Sequence, residues 1–264
     1  MDNIAQLLNN LTYARALSGS VGTVQGGVSP AELRSMAIQC FHHPVDHGYN
    51  YEIKNWVSHK LDDPKVIIEA GAADGSDTLL FSTIFHRAKI HSFEPMKEFF
   101  PLLVNMKKVL SLDNVELHEL ALAEENGRRK LYSMNNGQQP WGASTILEPT
   151  DLHHELVNTI KIHDVYDINI INLDFFCDAA GISVIDLLWL DMQGMEPQVL
   201  KASTVALENT KVLVSEVNFK DIYTDGILYD EFKPFLEEHG FKIEKEYFDD
   251  PVQGNIIATN ERFS

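Results

Sequence analysis

Val66-Ile67-Ile68-Glu69-Ala70-Gly71-Ala72-Ala73-Asp74-Gly75-Ser76-Asp77-Thr78 is the stretch whose reading decides the fold. An apolar run ends on a carboxylate. Glycines at Gly71 and Gly75 bracket a turn, and a helix-like segment follows. Open parallel sheets bind ligands just beyond the carboxyl ends of their strands, and glycine lets a backbone turn sharply and approach a ligand closely. The stretch therefore predicts a strand that delivers its tip to a nucleotide-like ligand. A second acidic strand end, Ser92-Phe93-Glu94-Pro95, comes about 25 residues later.

The glycine spacing restricts the ligand. A dinucleotide site needs G-x-G-x-x-G, and counting from Gly71 the second and third glycines are replaced by Ala73 and Ser76. No Gly-Lys-Ser/Thr follows, so a P-loop is excluded too. A carboxylate just before the turn suits a cationic ligand better than a pyrophosphate. S-adenosylmethionine, with its sulfonium and ammonium, has the right sign. Glu94 then has the position to accept hydrogen bonds from both ribose hydroxyls, by the logic of the dinucleotide fold. Asp74 and Asp77 read more simply as charges that favour a helix start.

Around this centre the chain alternates short apolar runs with helical patterns, as parallel α/β folds do. Strands are expected at Val66–Ala70, Lys89–Phe93, Val115–Ala121, Val184–Asp191 and Lys211–Val217. Helices are expected at Asp77–His86, Lys97–Leu110, Asp174–Ala180, Pro197–Ser203 and Tyr229–His239. Phe241–Phe248 and Gly254–Thr259 flank an Asp-Pro turn region and read as a terminal hairpin. Residues 124–170 carry no clear period and read as an irregular insertion.

Residues 1–60 read as a helical appendage to a domain at 61–264. Ile4, Leu7, Leu8, Leu11, Ala14 and Leu17 share one helix face. Ser29-Pro30-Ala31-Glu32 is a capping box that starts a helix running to about Cys40. A third helix is expected over Tyr49–Lys60. The appendage is expected to act as a lid or as a packing or dimerisation element, which makes a homo-oligomer through residues 1–60 one expectation.

The formal charge of −18 is uneven, because residues 1–60 hold four acids and four bases. The whole excess belongs to residues 61–264. Such a body repels phosphate backbones, so nucleic acid is not expected as a partner. No apolar run approaches a membrane span and no secretion signal is expected. Cys40 and Cys177 are isolated thiols that fit a reducing, cytoplasmic setting.

Several blocks together resemble the FkbM-type class I methyltransferases. Glu69–Thr78 resembles that family's D-x-G-A-N-x-G-x-x-T, Ser92-Phe93-Glu94-Pro95 is similar to its F-E-P, and Asn105 matches an asparagine on the next helix. Leu173-Asp174 and Ile185-Asp186-Leu187-Leu188-Trp189-Leu190-Asp191-Met192-Gln193-Gly194-Met195-Glu196 resemble its L-D and I-D-x-L-K-I-D-x-E-G-x-E blocks, and Glu216 matches the acid of the following strand. Ala73, Trp189 and Gln193 depart from the usual asparagine, lysine and glutamate. The resemblance implies a Rossmann-like α/β fold with a mostly parallel seven-stranded sheet and a C-terminal antiparallel hairpin. It implies S-adenosylmethionine as cofactor, with Glu69, Gly71, Ala72, Gly75, Thr78, Glu94, Pro95, Ala121, Leu122 and Asp191 as its expected contacts. It also implies O-methylation of a sugar, glycan or small hydroxylated metabolite.

Methyl transfer to a hydroxyl needs alignment and a general base within hydrogen-bond reach. Asp191, at the end of the fourth strand, is the expected base; its structural alternative is to hold the turn or the cofactor's amino group. Glu196 precedes Pro197 and reads first as a helix-start residue. Trp141, Ser144, Gln193 and Glu216 are the expected acceptor contacts, Trp141 and Ser144 lying in the polar stretch Asn135–Thr145. No metal is expected: Pro44 breaks the helix that would align His43 and His47, and no cysteine completes a zinc set. A cation held by Asp191, Glu216 and a sugar diol, or a base drawn from His42, His43, His47, His153 or His154, remain the alternatives. A non-catalytic fold member, or one directed at nitrogen or protein side chains, is the competing functional reading.

Overall fold

The structure, a computed structural model, describes residues 49–137, 140–157, 159–248 and 250–263. The helices expected around residues 4–17 and 30–40, and His42, His43 and His47, lie outside the described residues. The chain opens with α1 (Tyr49–Lys60), β1 (Val66–Ala70), α2 (Ser76–Ile84), β2 (Lys89–Phe93), α3 (Phe100–Leu110) and β3 (Val115–His118). A middle segment follows, with β4 (Ala121–Ala123), β5 (Gly127–Asn135), β6 (Pro140–Thr145), α4 (Asp151–Leu156) and β7 (Lys161–Asn172). The remainder is α5 (Leu173–Ala180), β8 (Ile185–Leu190), α6 (Glu196–Lys201), α7 (Thr204–Glu208), β9 (Thr210–Asn218), α8 (Tyr229–Glu238), β10 (Phe241–Tyr247) and β11 (Gln253–Asn260).

The main sheet has seven strands in the order β10-β11-β9-β8-β1-β2-β3. Only β11 runs antiparallel to its neighbours, pairing with β9 and β10. The central strands read as unbroken apolar runs because both of their faces are covered: all six residues of β8 are buried. Alternate side chains feed opposite cores. Ile68, Leu188 and Phe93 pack with α5, α6 and α8 on one side. Ile67, Leu187 and Trp189 pack on the other with α2, α3 and, from α1, Ile53 and Val57. α1 also sends Lys54 to an ion pair with Asp77 at the start of α2.

Register sets the site. Ala70 of β1 pairs with Phe93 of β2 and with Leu190 of β8. The residues just beyond, Gly71, Glu94 and Asp191, therefore leave the sheet side by side, where the order of connection reverses.

Two expectations need correction. The stretch 124–170 is not irregular: β4, β7, β5 and β6 form a second, four-stranded sheet. Arg128, Arg129 and Lys130 mask β5, although Leu131, Ser133 and Met134 further along it are buried; β7 does alternate, with Ile168 and Ile170 buried and Asp167 and Asn169 exposed. The expected strand Val115–Ala121 is two strands, since β3 ends at His118 and β4 joins the second sheet through β7. Among the described residues no helix is long and apolar enough to cross a membrane.

Candidate active site

The turn after β1 is held by backbone. The amides of Gly71 and Ala72 both donate to the Phe93 carbonyl, at 3.0 Å each, and the Asp191 amide donates to the Ala70 carbonyl at 2.9 Å. Gly71 has φ 89°, and a Cβ there would sit 1.8 Å from the Asp191 carbonyl oxygen. No other residue fits. Ala73, with φ 45°, is in the left-handed region too, and asparagine tolerates that region better than alanine.

The two acids of the opening motif take different places. Glu69 is buried, and its Oε2 accepts from Thr78 Oγ1 and Ser92 Oγ at 2.6 Å each, while Oε1 has no hydrogen-bond partner. Burial, aided by the nearby Asp77, pushes its carboxyl up to about 8. Glu69 and Thr78 brace the turn from beneath, and neither lines a cavity described below. Glu94 projects above it. Its two oxygens accept from the amides of Ala73 at 2.7 Å and Met96 at 2.8 Å, and burial pushes its carboxyl up to about 7.

Two cavities open over the strand ends. The smaller, about 40 Å³, is lined by Ala70, Gly71, Glu94, Pro95, Ala121, Leu122 and Ser144, with Met96 and Leu131 among the apolar walls. Most of the expected cofactor contacts thus meet in one place; Ala72 and Gly75 shape the turn without reaching it. Ser144, expected on the acceptor side, lines this cavity; its hydroxyl accepts from the Met134 amide at 2.9 Å and donates to the Trp141 carbonyl at 3.1 Å. The larger cavity, about 840 Å³, is lined by Asp191, Gln193, Glu216, Trp141, His153 and Tyr223 among others. Gly71, Ala73, Gly142 and Asp191 border both cavities. Gly142 lies against Ala73, where an added Cβ would be 3.6 Å from the alanine methyl.

Asp191 opens onto the large cavity, yet protein surrounds it closely enough to raise its carboxyl above the usual range; a bond from Gln193 Nε2 to Oδ1, at 2.8 Å, opposes that rise. Gln193 is itself fixed. Its Oε1 accepts from Tyr223 Oη at 3.3 Å and its carbonyl from Thr145 Oγ1 at 2.9 Å. Glu196 is fully buried and clamps the turn ahead of α6 by accepting from the amides of Met192 and Gly194. This matches its reading as a helix-start residue. Glu216 Oε1 accepts from Gln253 Nε2 at 2.7 Å, while Oε2 is buried without a hydrogen-bond partner. Burial first, then the Asp191 and Glu196 charges, raise Glu216 well above the ordinary carboxylate range. His153 is buried beside Tyr223, its Nδ1 lacks a hydrogen-bond partner, and burial lowers its basicity. Tyr223 and Gln253 carry no motif and were not legible in the sequence.

A family model described as the methyltransferase FkbM domain matches residues 69–243. The 2-O-methyltransferase NoeI of Sinorhizobium fredii is 27% identical over 163 residues, covering 61% of this chain and 66% of that protein, just under two thirds of its length. Among solved structures, the N-terminal domain of EvdMO1 with SAH bound matches at 13% identity and TM-score 0.46, over 89% of this chain and 99% of that one. Precorrin-6y C5,15-methyltransferase from Geobacter metallireducens matches at 16% identity and TM-score 0.44, over 80% and 88%. Since the family match spans well over half of the chain and takes in the acids and glycines of both strand-end motifs, this chain belongs to the FkbM methyltransferase family.

Proposed function

We propose that the chain methylates a hydroxyl group of a sugar, a glycan or a similar polyol. The observation that carries the reading is the position of Asp191 on the border of both cavities. The small cavity fits the nucleoside end of the cofactor in chemistry: an acid at Glu94 for ribose hydroxyls, and apolar walls at Pro95, Met96 and Leu122 for a base. Its volume is far below the roughly 300–1,000 Å³ of ordinary small-molecule sites, so β6, which supplies Gly142, Ser144 and Thr145 to its wall, must yield on loading. When bound, the cofactor supplies a methyl group on a sulfonium.

The residues of this chain then have three tasks. Asp191 accepts the proton of the acceptor hydroxyl, and its raised basicity suits that role near neutral pH. Glu216, its carboxyl raised well above the ordinary range by burial and by the Asp191 and Glu196 charges, is suited to offer a proton to another acceptor oxygen. Trp141, 39% exposed at the rim, presents a flat face on which a sugar ring can lie. Likeness to a protein named as a 2-O-methyltransferase supports an oxygen acceptor.

Calorimetry with S-adenosylmethionine, combined with turnover on a panel of glycosides, tests this. The expected result is binding by the wild type, weakened about tenfold or more by Glu94→Ala, as loss of a charged hydrogen bond predicts. Asp191→Asn should retain most of the binding while turnover falls about 10²- to 10⁴-fold. Full turnover by Asp191→Asn would overturn the base assignment. Turnover confined to amine acceptors would overturn the hydroxyl reading.

A further inference from the structure

A second group of ligating side chains lies away from both cavities. His91 on β2 faces Glu116 across the ladder, and His118 is two residues further along β3, on the same face of the edge strand. His91 Nδ1 is 3.1 Å from His118 Nε2 and 3.3 Å from Glu116 Oε2. The three ligating atoms all lie within 4.8 Å of one another. A single proton on His91 Nδ1 can point at only one of those two neighbours, yet all three atoms turn to one space.

The spacing is close to that of ligands around one ion. Two ligands bound about 2.0–2.1 Å from a tetrahedral metal ion lie about 3.3 Å apart. The two separations from His91 Nδ1, 3.1 and 3.3 Å, are close to that value, and the third lies within 4.8 Å. We propose that His91, Glu116 and His118 bind a divalent transition-metal ion of the zinc type, with solvent completing its coordination.

Two imidazoles and one carboxylate suit zinc, cobalt or nickel, and disfavour magnesium and calcium, which take oxygen ligands. Neutral imidazole is the form that ligates a metal ion. Phe93 stacks on the His118 ring at 4.6 Å and Phe176 packs edge-on to both histidines, which fixes the rings. The Glu116 side chain is 49% exposed and leaves a path from solvent. The ion would pin the edge strand β3 to β2. The His118 carbonyl also accepts from the Glu94 amide at 3.0 Å, so the pin would brace the strand end that carries Glu94 while touching neither cavity.

The test is a cobalt titration of the full, chelator-treated chain, followed by its visible absorption, with zinc as competitor. One equivalent should bind with the strong visible bands of a four-coordinate ion, and zinc should displace it. His118→Gln should weaken binding by more than about 100-fold, beyond the 10- to 100-fold loss typical of a merely supporting residue. Glu116→Gln, a half-exposed change that leaves the core intact, should weaken it by at least about tenfold. Replacing His42, His43 and His47 together by asparagine should leave the bands unchanged. Absence of binding by the wild type would overturn the proposal, as would a cobalt site that survives both His118→Gln and Glu116→Gln.

Discussion

Replacing Glu69 by glutamine should make the protein's stability respond differently to pH. Glutamine keeps an oxygen that accepts from Thr78 and Ser92 but cannot ionise. In the wild type, burial raises the carboxyl from 4.5 to about 8. The folded state therefore holds its proton more tightly than the unfolded chain. Below pH 4.5 both states are protonated and the contribution is fully present. As pH rises the unfolded state ionises first, so stability is lost at about 1.4 kcal/mol per pH unit until the folded carboxyl also ionises near pH 8. That amounts to about 3 kcal/mol by pH 7 and about 5 kcal/mol above pH 8. The assay is urea unfolding of both proteins without cofactor, from pH 4.5 to 9. The difference, variant minus wild type, cancels the titration of every other group. It should climb steadily between pH 5 and 8 and then level off. A flat difference would mean that Glu69 is ionised in the fold, and the account of the turn as resting on a neutral buried acid would fail.

Two further changes test the turn itself. Gly71→Ala places a Cβ 1.8 Å from the Asp191 carbonyl oxygen in a left-handed backbone; it should cost about 4 kcal/mol or more, and soluble protein with a wild-type unfolding midpoint would refute the packing argument. Ala73→Gly removes left-handed strain at φ 45° and should stabilise the chain by up to about 1 kcal/mol; a lower urea midpoint for this variant would show that the Ala73 methyl contributes more than its backbone costs.

The parts of this fold that were legible in the sequence share one property: their signal is local. β1, β2 and β8 are buried on both faces, so their apolar runs stand out, and the acids Glu94 and Asp191 follow directly after them. The second sheet was legible only in part: charges at Arg128, Arg129 and Lys130 mask β5, whereas the alternation of β7, with Ile168 and Ile170 buried and Asp167 and Asn169 exposed, is in the letters but does not say which strand it pairs with. The larger cavity was legible only in part, for a different reason. His153 and Tyr223 meet because the chain closes on itself at Pro149 and Tyr223, and because the Thr150 hydroxyl donates to the Asp221 carbonyl 71 residues away. No sequence period encodes that closure. The departures at Ala73 and Gln193 were visible as letters, but their consequence was not. Both occupy left-handed backbone, and Gln193 uses the position to hold Asp191 with one end of its amide and Tyr223 with the other.

Three acids at the tips of three adjacent strands end up with separate tasks, and the register explains why. Glu69 is one residue short of the level reached by Ala70, Phe93 and Leu190. Its side chain consequently stays inside the sheet layer, under α2, where Thr78 and Ser92 are its partners. Glu94 and Asp191 stand one residue beyond that level and clear the sheet. Glu94 is then captured by the amides of Ala73 and Met96, which fix it in the wall of the small cavity. Asp191 meets no such amides, only the Gln193 side chain, and so keeps an oxygen toward the space where the two cavities meet. A shift of one residue in the pairing of β8 with β1 would exchange the inward and outward faces of β8, bury Asp191 as Glu69 is buried, and take the proposed base away from the acceptor side. The stacked apolar residues Ile67, Leu187 and Trp189 on one face, and Ile68, Leu188 and Leu190 on the other, make that shift costly. The packing of the core thus fixes which of the acids stands at the border of the two cavities.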